Sequence, residues 1–276
     1  MYFCEIRFIP LEESPDSIEM LQSTVSPGLI MGYLESLHAN GQIHENYFVV
    51  YSDGIEVAYV NCPETKSLIL KNNSKTVKSA LRKLKKYYDI KHKVIGLNLT
   101  GGGYYCECKN PSFYILQGDT DVDNSPIICG DCGMPVPLYK LPCVDEEMGF
   151  SELISWHQAY ATAADMLESD IPLASEFEKE LCNPISDIAE WGREYCRELE
   201  ERLQKPVYYN LYNPNGKKHR KCPSCGKKLR YISMGDDQES GSENENSDNS
   251  RIIKANFGDE YDWCACDNCR IIMDIE

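Results

Sequence analysis

At 276 residues the chain can bury a substantial core, and its length suits two folding units. Its hydrophobic share of 42% is ordinary for a soluble protein, and no apolar run approaches the ~20 residues that cross a bilayer as a helix. The opening residues, Met1 to Phe8, lack the basic start, apolar centre and small-residue cleavage site of a secretory signal, so the expected location is cytoplasmic.

The net charge of −16 is unevenly spread. Residues 75–93 carry eight basic side chains and one acid, and residues 217–230 carry seven and none, leaving 13 basic against 43 acidic residues elsewhere. Two cationic islands in an anionic background can steer toward phosphate at two places, or toward a basic partner over the remaining surface.

In chain order, residues 2–9 read as a strand stopped by Pro10, and the polar stretch 12–24 has room for a short helix. Pro27 stands where helix starts favour it, and Ile30, Tyr33, Leu34 and Leu37 follow at helical spacing until Gly41. Two β-rich runs, 47–51 and 55–60, flank Ser52-Asp53-Gly54 and predict a hairpin. Val77, Leu81, Leu84 and Tyr88 mark one face of a helix whose opposite face carries Lys78, Arg82 and Lys85; residues 94–99 read as a last strand. Strand-helix-strand-strand-helix-strand is the order of a ferredoxin-like domain, expected over residues 1–100.

Residues 101–145 change character, with three consecutive glycines, five cysteines and little periodicity. Such a segment needs a staple to hold a fold. Over residues 146–205, Leu153, Trp156, Tyr160, Ala163 and Leu167 form one apolar stripe, and Ile185, Ile188, Trp191, Tyr195, Leu199 and Leu203 form another. They predict a helical hairpin whose aromatic residues serve as core rather than as a cofactor box. Within 206–276, residues 207–212 read as a strand, and residues 235–250 hold six acids, no base and no apolar side chain, which predicts a disordered loop. The fold class expected is α+β.

The 14 cysteines of a chain expected in a reducing compartment point to metal rather than to disulfides. Cys222-Pro223-Ser224-Cys225-Gly226 and Cys266-Asp267-Asn268-Cys269 are two Cys-x-x-Cys knuckles. Two intervening residues allow a tight turn to aim both sulfurs at one ion, and the loop between knuckles is free to vary in length. Cys264 offers a third sulfur there, but Cys266 and Cys269 keep the spacing of the first knuckle. A second set pairs Cys106 and Cys108 with Cys129 and Cys132, with Cys143 as a reserve ligand. Alternate residues on a strand share a face, so Cys106 and Cys108 reach one ion only if the backbone bends, a freedom the glycines at 101–103 supply. Both sites read as closed structural Zn2+ sites, with iron as the chemical rival. Four thiolates leave each site at a net −2, so the cations at 217–230 are in part local compensation.

Catalytic chemistry finds little support. The five histidines, His38, His44, His92, His157 and His219, form no metalloprotease-type motif. Thr100 and the glycines after it lead to cysteines rather than to a helix N-terminus, and Cys4, Cys62, Cys182 and Cys196 read as buried small apolar residues.

The succession of the Cys-x-Cys pair, Cys129-Gly130-Asp131-Cys132-Gly133-Met134-Pro135, the helices bearing Trp156 and Trp191, Pro206-Val207-Tyr208-Tyr209 and the last two knuckles is distinctive. It resembles an uncharacterised bacterial family described as zinc-ribbon-containing, for which nucleic-acid binding has been suggested. The resemblance implies zinc at Cys222, Cys225, Cys266 and Cys269. The acidic insertion at 235–250 and the extra Cys264 depart from that pattern.

These readings give a non-catalytic zinc-ribbon protein that binds a macromolecule, first a protein, as a toxin-neutralising immunity protein would. The alternative is RNA binding through the basic helix (Lys78, Arg82, Lys85) and the basic knuckle (Lys227, Lys228, Arg230), with Tyr208, Tyr209 and Tyr231 available to stack on bases. A metal-dependent or thiol enzyme ranks third, and no membrane partner is expected.

Overall fold

The computed structural model describes residues 1–11, 25–98, 104–118, 125–169, 172–233 and 262–275. The stretch 12–24 with its expected short helix, the glycines at 101–103 and the loop expected at 235–250 lie outside the described residues.

The first unit comprises β1 (Tyr2–Pro10), α1 (Val25–Ala39), β2 (Phe48–Ser52), β3 (Ile55–Cys62), α2 (Lys75–Leu84) and β4 (Tyr88–Leu97). Its four strands lie in the order β2-β3-β1-β4, each antiparallel to its neighbour. Alternate residues of β1 (Cys4, Ile6, Phe8) and β3 (Ala58, Val60, Cys62) bury one face against Ile30, Leu34 and Leu37 of α1. Asp53 and Gly54 both take positive φ (54° and 82°), the geometry a two-residue hairpin loop of matching twist needs. The Ser74 hydroxyl accepts the N–H of Val77 at 3.3 Å and caps α2, which buries Val77, Leu81 and Leu84.

Tyr88 opens β4 instead of extending the helix, so this strand begins six residues before the expected position 94. Its ring meets Phe8 edge-on at 6.1 Å in the same core that α2 faces. A residue delivered to that core by a strand kept the spacing of a helical stripe.

The second unit comprises β5 (Tyr114–Leu116), β6 (Ile127–Cys129), α3 (Ser151–Glu168), α4 (Ala174–Cys182), α5 (Asp187–Leu203), β7 (Val207–Asn210), β8 (Arg230–Ser233), β9 (Asp262–Cys266) and β10 (Ile271–Ile275). These strands form one six-stranded sheet in the order β6-β5-β7-β10-β9-β8. β7 lies parallel to β5 and to β10, and all other pairs are antiparallel. The two cysteine segments, far apart in sequence, therefore share a sheet through β7, every residue of which is buried.

Three helices occupy the region where the apolar stripes predict two. The additional helix, α4, buries only Leu181, and one buried residue leaves no stripe to read. Ile185 falls outside the helices and is 66% exposed. α3 and α5 cross at Gly192, where a Cβ would stand 2.6 Å from the Tyr209 ring and 2.8 Å from that of Trp156. The Trp156 indole N–H donates to the Ile188 carbonyl at 3.0 Å.

The units meet along a seam. The Phe150 N–H donates to the Ala39 carbonyl at 2.6 Å, Gln158 donates to Glu45 at 2.7 Å, and Glu64 takes both Lys140 (2.6 Å) and the Tyr139 hydroxyl. Gly149 (φ 68°) sits so close that a Cβ would lie 2.5 Å from the Ala39 carbonyl oxygen. His44 lies in the same seam, with its Nε2 3.1 Å from the Tyr105 hydroxyl. Burial first, then His38 and the Met1 ammonium, push its imidazole down to about 4.

Gly149→Ala combines backbone strain with a backbone clash, and should lower stability by about 1–3 kcal/mol in denaturant titration. Gly32→Ala, in open space on α1, should be neutral or stabilising by up to about 1 kcal/mol. For His44, folding favours the neutral imidazole. Stability should hold above about pH 6.5, where unfolded histidine begins to titrate, and decline as the pH falls to about 4. His44→Gln should flatten that decline in urea titrations across this range.

Candidate metal centres

Each cysteine cluster is built from short backbone turns. In the first, the Cys129 N–H donates to the Met134 carbonyl at 2.9 Å and the Gly133 N–H returns to the Cys129 carbonyl at 2.8 Å, closing a tight knuckle. Gly133 takes a φ of 68°, which a side chain would resist. Gly130 stands against Phe113, where a Cβ would lie 2.3 Å from the ring. Across from this turn, the Cys106 N–H donates to the Pro135 carbonyl at 2.7 Å. The Cys108 N–H then turns back onto Cys106 Sγ at 3.3 Å, the bend that a single-residue spacing requires.

The second cluster repeats the design. The Cys222 N–H donates to the Lys227 carbonyl at 2.8 Å, and the Gly226 N–H to the Cys222 carbonyl at 2.9 Å. Gly226 takes a φ of 70°. Cys266 ends β9 and Cys269 sits in the turn before β10. Arg270 occupies the place after Cys269 that a glycine holds in the other knuckles, with a φ of 53°. Glu200 grips its guanidinium at 2.8 and 3.0 Å, the Asp267 carbonyl accepts from it at 2.9 Å, and its guanidinium carbon lies 5.4 Å from the centre of the Tyr208 ring. These contacts offset the cost of left-handed backbone at a side-chain-bearing residue. Spacing alone gave no sign of this arginine or of Glu200.

In each cluster the four sulfurs lie within 4.8 Å of one another: Cys106, Cys108, Cys129 and Cys132 in one, and Cys222, Cys225, Cys266 and Cys269 in the other. Both could hold a metal ion. Burial runs in parallel, with two sulfur-bearing residues buried, one half-buried and one exposed in each. Sulfurs this close share protons. Donation from Cys106 and Cys132 draws the Cys129 thiol down to about 2, whereas donating to Cys129 pushes Cys106 up to about 12. The Lys227 N–H, then the Cys269 thiol, draw Cys225 down to about 7. A divalent cation in place of the shared protons would satisfy all four sulfurs at once, and four thiolates suit a closed tetrahedral site.

The two reserve sulfurs point elsewhere. Cys264 donates to the His219 carbonyl at 3.4 Å, and Cys143 to the Asp145 carbonyl at 2.6 Å. Neither joins a cluster.

The basic candidates divide between the units. Lys78, Arg82 and Lys85 are exposed on and just after α2. At the second cluster, Lys227 donates to Asn268 at 2.6 Å, Arg230 pairs with Asp267 at 3.0 Å, and Lys228 is exposed. Tyr208 and Tyr209 are buried in the sheet and cannot receive a base, which corrects their expected role. Tyr231 is 44% exposed, with the Lys218 ammonium 3.5 Å from its ring centre.

The chain is thus a two-unit α+β protein with two four-cysteine clusters able to hold metal. Residues 1–96 match a domain of unknown function (DUF8589), and residues 108–212 match another (DUF2310). No curated protein and no solved structure matches the chain. The second cluster lies beyond both matched spans. No helix among the described residues is long and apolar enough to cross a membrane.

Elemental analysis of the purified chain should find two equivalents of metal. Cys108→Ser and Cys225→Ser should each remove one equivalent, and cobalt substitution should give thiolate charge-transfer bands. Cys143→Ser and Cys264→Ser should leave both in place. Acidification should release the metal, since protons compete for the same thiolates.

Proposed function

We propose that this is a non-catalytic, zinc-stapled protein that binds RNA at its C-terminal knuckle, with one Zn2+ at each four-cysteine cluster. In this reading the N-terminal unit is ferredoxin-like and the C-terminal knuckles form a zinc ribbon. Closed sets of four cysteines support zinc as a structural ion rather than a catalytic one.

The observation that carries the RNA reading is a groove beside the second cluster. Lys218, Arg220, Lys221, Lys228, Arg230 and Tyr231 line it, and no carboxylate does among the described residues. Arg230 is already held by Asp267 and Lys218 lies over the Tyr231 ring, so among the described residues Arg220, Lys221 and Lys228 are the groove cations placed to meet phosphates. Lys227 sits on Asn268 and serves the knuckle itself.

A protein partner with a basic surface is the second reading, favoured by one feature. Residues 145–204 carry sixteen acidic against four basic side chains, and Leu173 and Ile185 stand exposed among them. Acidic surfaces of this kind capture basic partners by electrostatic steering, as a toxin-neutralising immunity protein must.

A fluorescence-anisotropy titration of the metal-loaded chain with single-stranded RNA discriminates these. Lys221→Glu with Lys228→Glu should weaken binding by about tenfold or more and lower the salt slope by about one for each lost phosphate contact. No binding at low salt would overturn the RNA reading.

A further inference from the structure

The helices of the N-terminal unit cover one face of its sheet, and the opposite face carries a row of aromatic rings. Phe48 of β2 lies directly across from Tyr59 of β3, their ring centroids 5.3 Å apart. The Tyr59 ring in turn stacks on Phe3 of β1 at 5.8 Å and 11°. Phe48 is 54% exposed, and Val50, which shares its face of β2, is also exposed. The seam with the second unit runs through Ala39, His44, Glu45 and Glu64, none of which lies on these strands.

Charge continues the row. Tyr59 faces Glu5, and Glu5 faces Lys93 on β4; Arg7 faces Lys91. Arg7, Lys91 and Lys93 are exposed, and the acids among them are Glu5, 2.5 Å from Arg7, and Asp89, 3.4 Å from Lys91. On a chain of net charge −16, a cationic margin beside exposed rings is a local exception. Cross-strand aromatic pairing alone would stabilise the sheet. It would not call for cations along the next strand.

We propose that this sheet face is a second binding site, a stacking platform for single-stranded RNA. Unpaired bases can lie on Phe3, Phe48 and Tyr59 while the backbone phosphates pass along Lys91 and Lys93. Duplexes keep their bases stacked internally and have no use for the rings. The Glu5 carboxylate, set between Tyr59 and Lys93, only accepts hydrogen bonds and so favours bases that present amino donors, cytosine and adenine over uracil. The site goes beyond the C-terminal groove and stands without it, since it belongs to the other unit.

The test uses the full metal-loaded chain and single-stranded RNA decamers of cytosine-rich and uracil-rich sequence, followed by anisotropy. Phe48→Ala and Tyr59→Ala, each checked for native circular dichroism, should weaken binding by about tenfold while leaving the salt slope unchanged. Lys91→Glu with Lys93→Glu should lower the slope by about two. A folded Phe48→Trp variant should show fluorescence quenched by the decamer, a signature that a merely structural ring would not give. Unchanged affinity in the aromatic variants, or equal affinity for a duplex of the same sequence, would overturn the platform. Loss of binding only in the Lys221 and Lys228 variants would sink this proposal and leave the groove standing. Loss only in the sheet variants would do the reverse.

Discussion

The second unit depends on bringing four sulfurs within 4.8 Å of one another, twice. Its strands are short: β5 and β6 have three residues each, and β7 and β8 four. Ladders of that length are marginal by themselves. The first cluster ties the irregular chain at 106–108 to the end of β6, and the second ties the 222–225 knuckle to the turn between β9 and β10. Each closes a long loop at one point, where the entropy lost by the chain is greatest. The glycines at 133 and 226, and Arg270 held by Glu200, shape the turns that present the sulfurs.

The clusters are not satellites of the fold. Cys106, Cys129, Cys222 and Cys266 pack in one hydrophobic core with Trp156, Tyr195 and Tyr209. A sulfur pulled out of place would open that core, and a core that loosened would scatter the sulfurs. Metal affinity and packing are in this sense one quantity. The N-terminal unit has its own core and touches this one through the seam, and the two matched spans, 1–96 and 108–212, fall on either side of the join.

Features with a local chemical signature were legible in the sequence. Asp53-Gly54 marks its hairpin because few other residues accept positive φ twice in succession. Val77, Leu81 and Leu84 declare α2 by their spacing, and three Cys-x-x-Cys pairs and one Cys-x-Cys pair declare the two clusters. What escaped depends on distant partners. The pairing of β7 with β5 and with β10 is parallel and joins segments far apart in the chain, and nothing in Val207 to Asn210 names either neighbour. The same burial explains Tyr208 and Tyr209, whose aromatic character reads equally well as a base-stacking surface or as a sheet interior. α4 was hidden because a helix that buries one leucine has no stripe.

The central place of β7 also sets an order of events during synthesis. The N-terminal sheet closes with β4 and can form early, since all its strands lie within residues 2–97. β7 emerges with β5 already available on one side, while its other neighbour, β10, is not made until residues 271–275. In that interval a strand whose every residue is buried in the finished fold presents an open edge on the nascent chain, the condition under which strands pair with the wrong partner. Closing that edge waits for residues 271–275, long after β5 and β7 have been made.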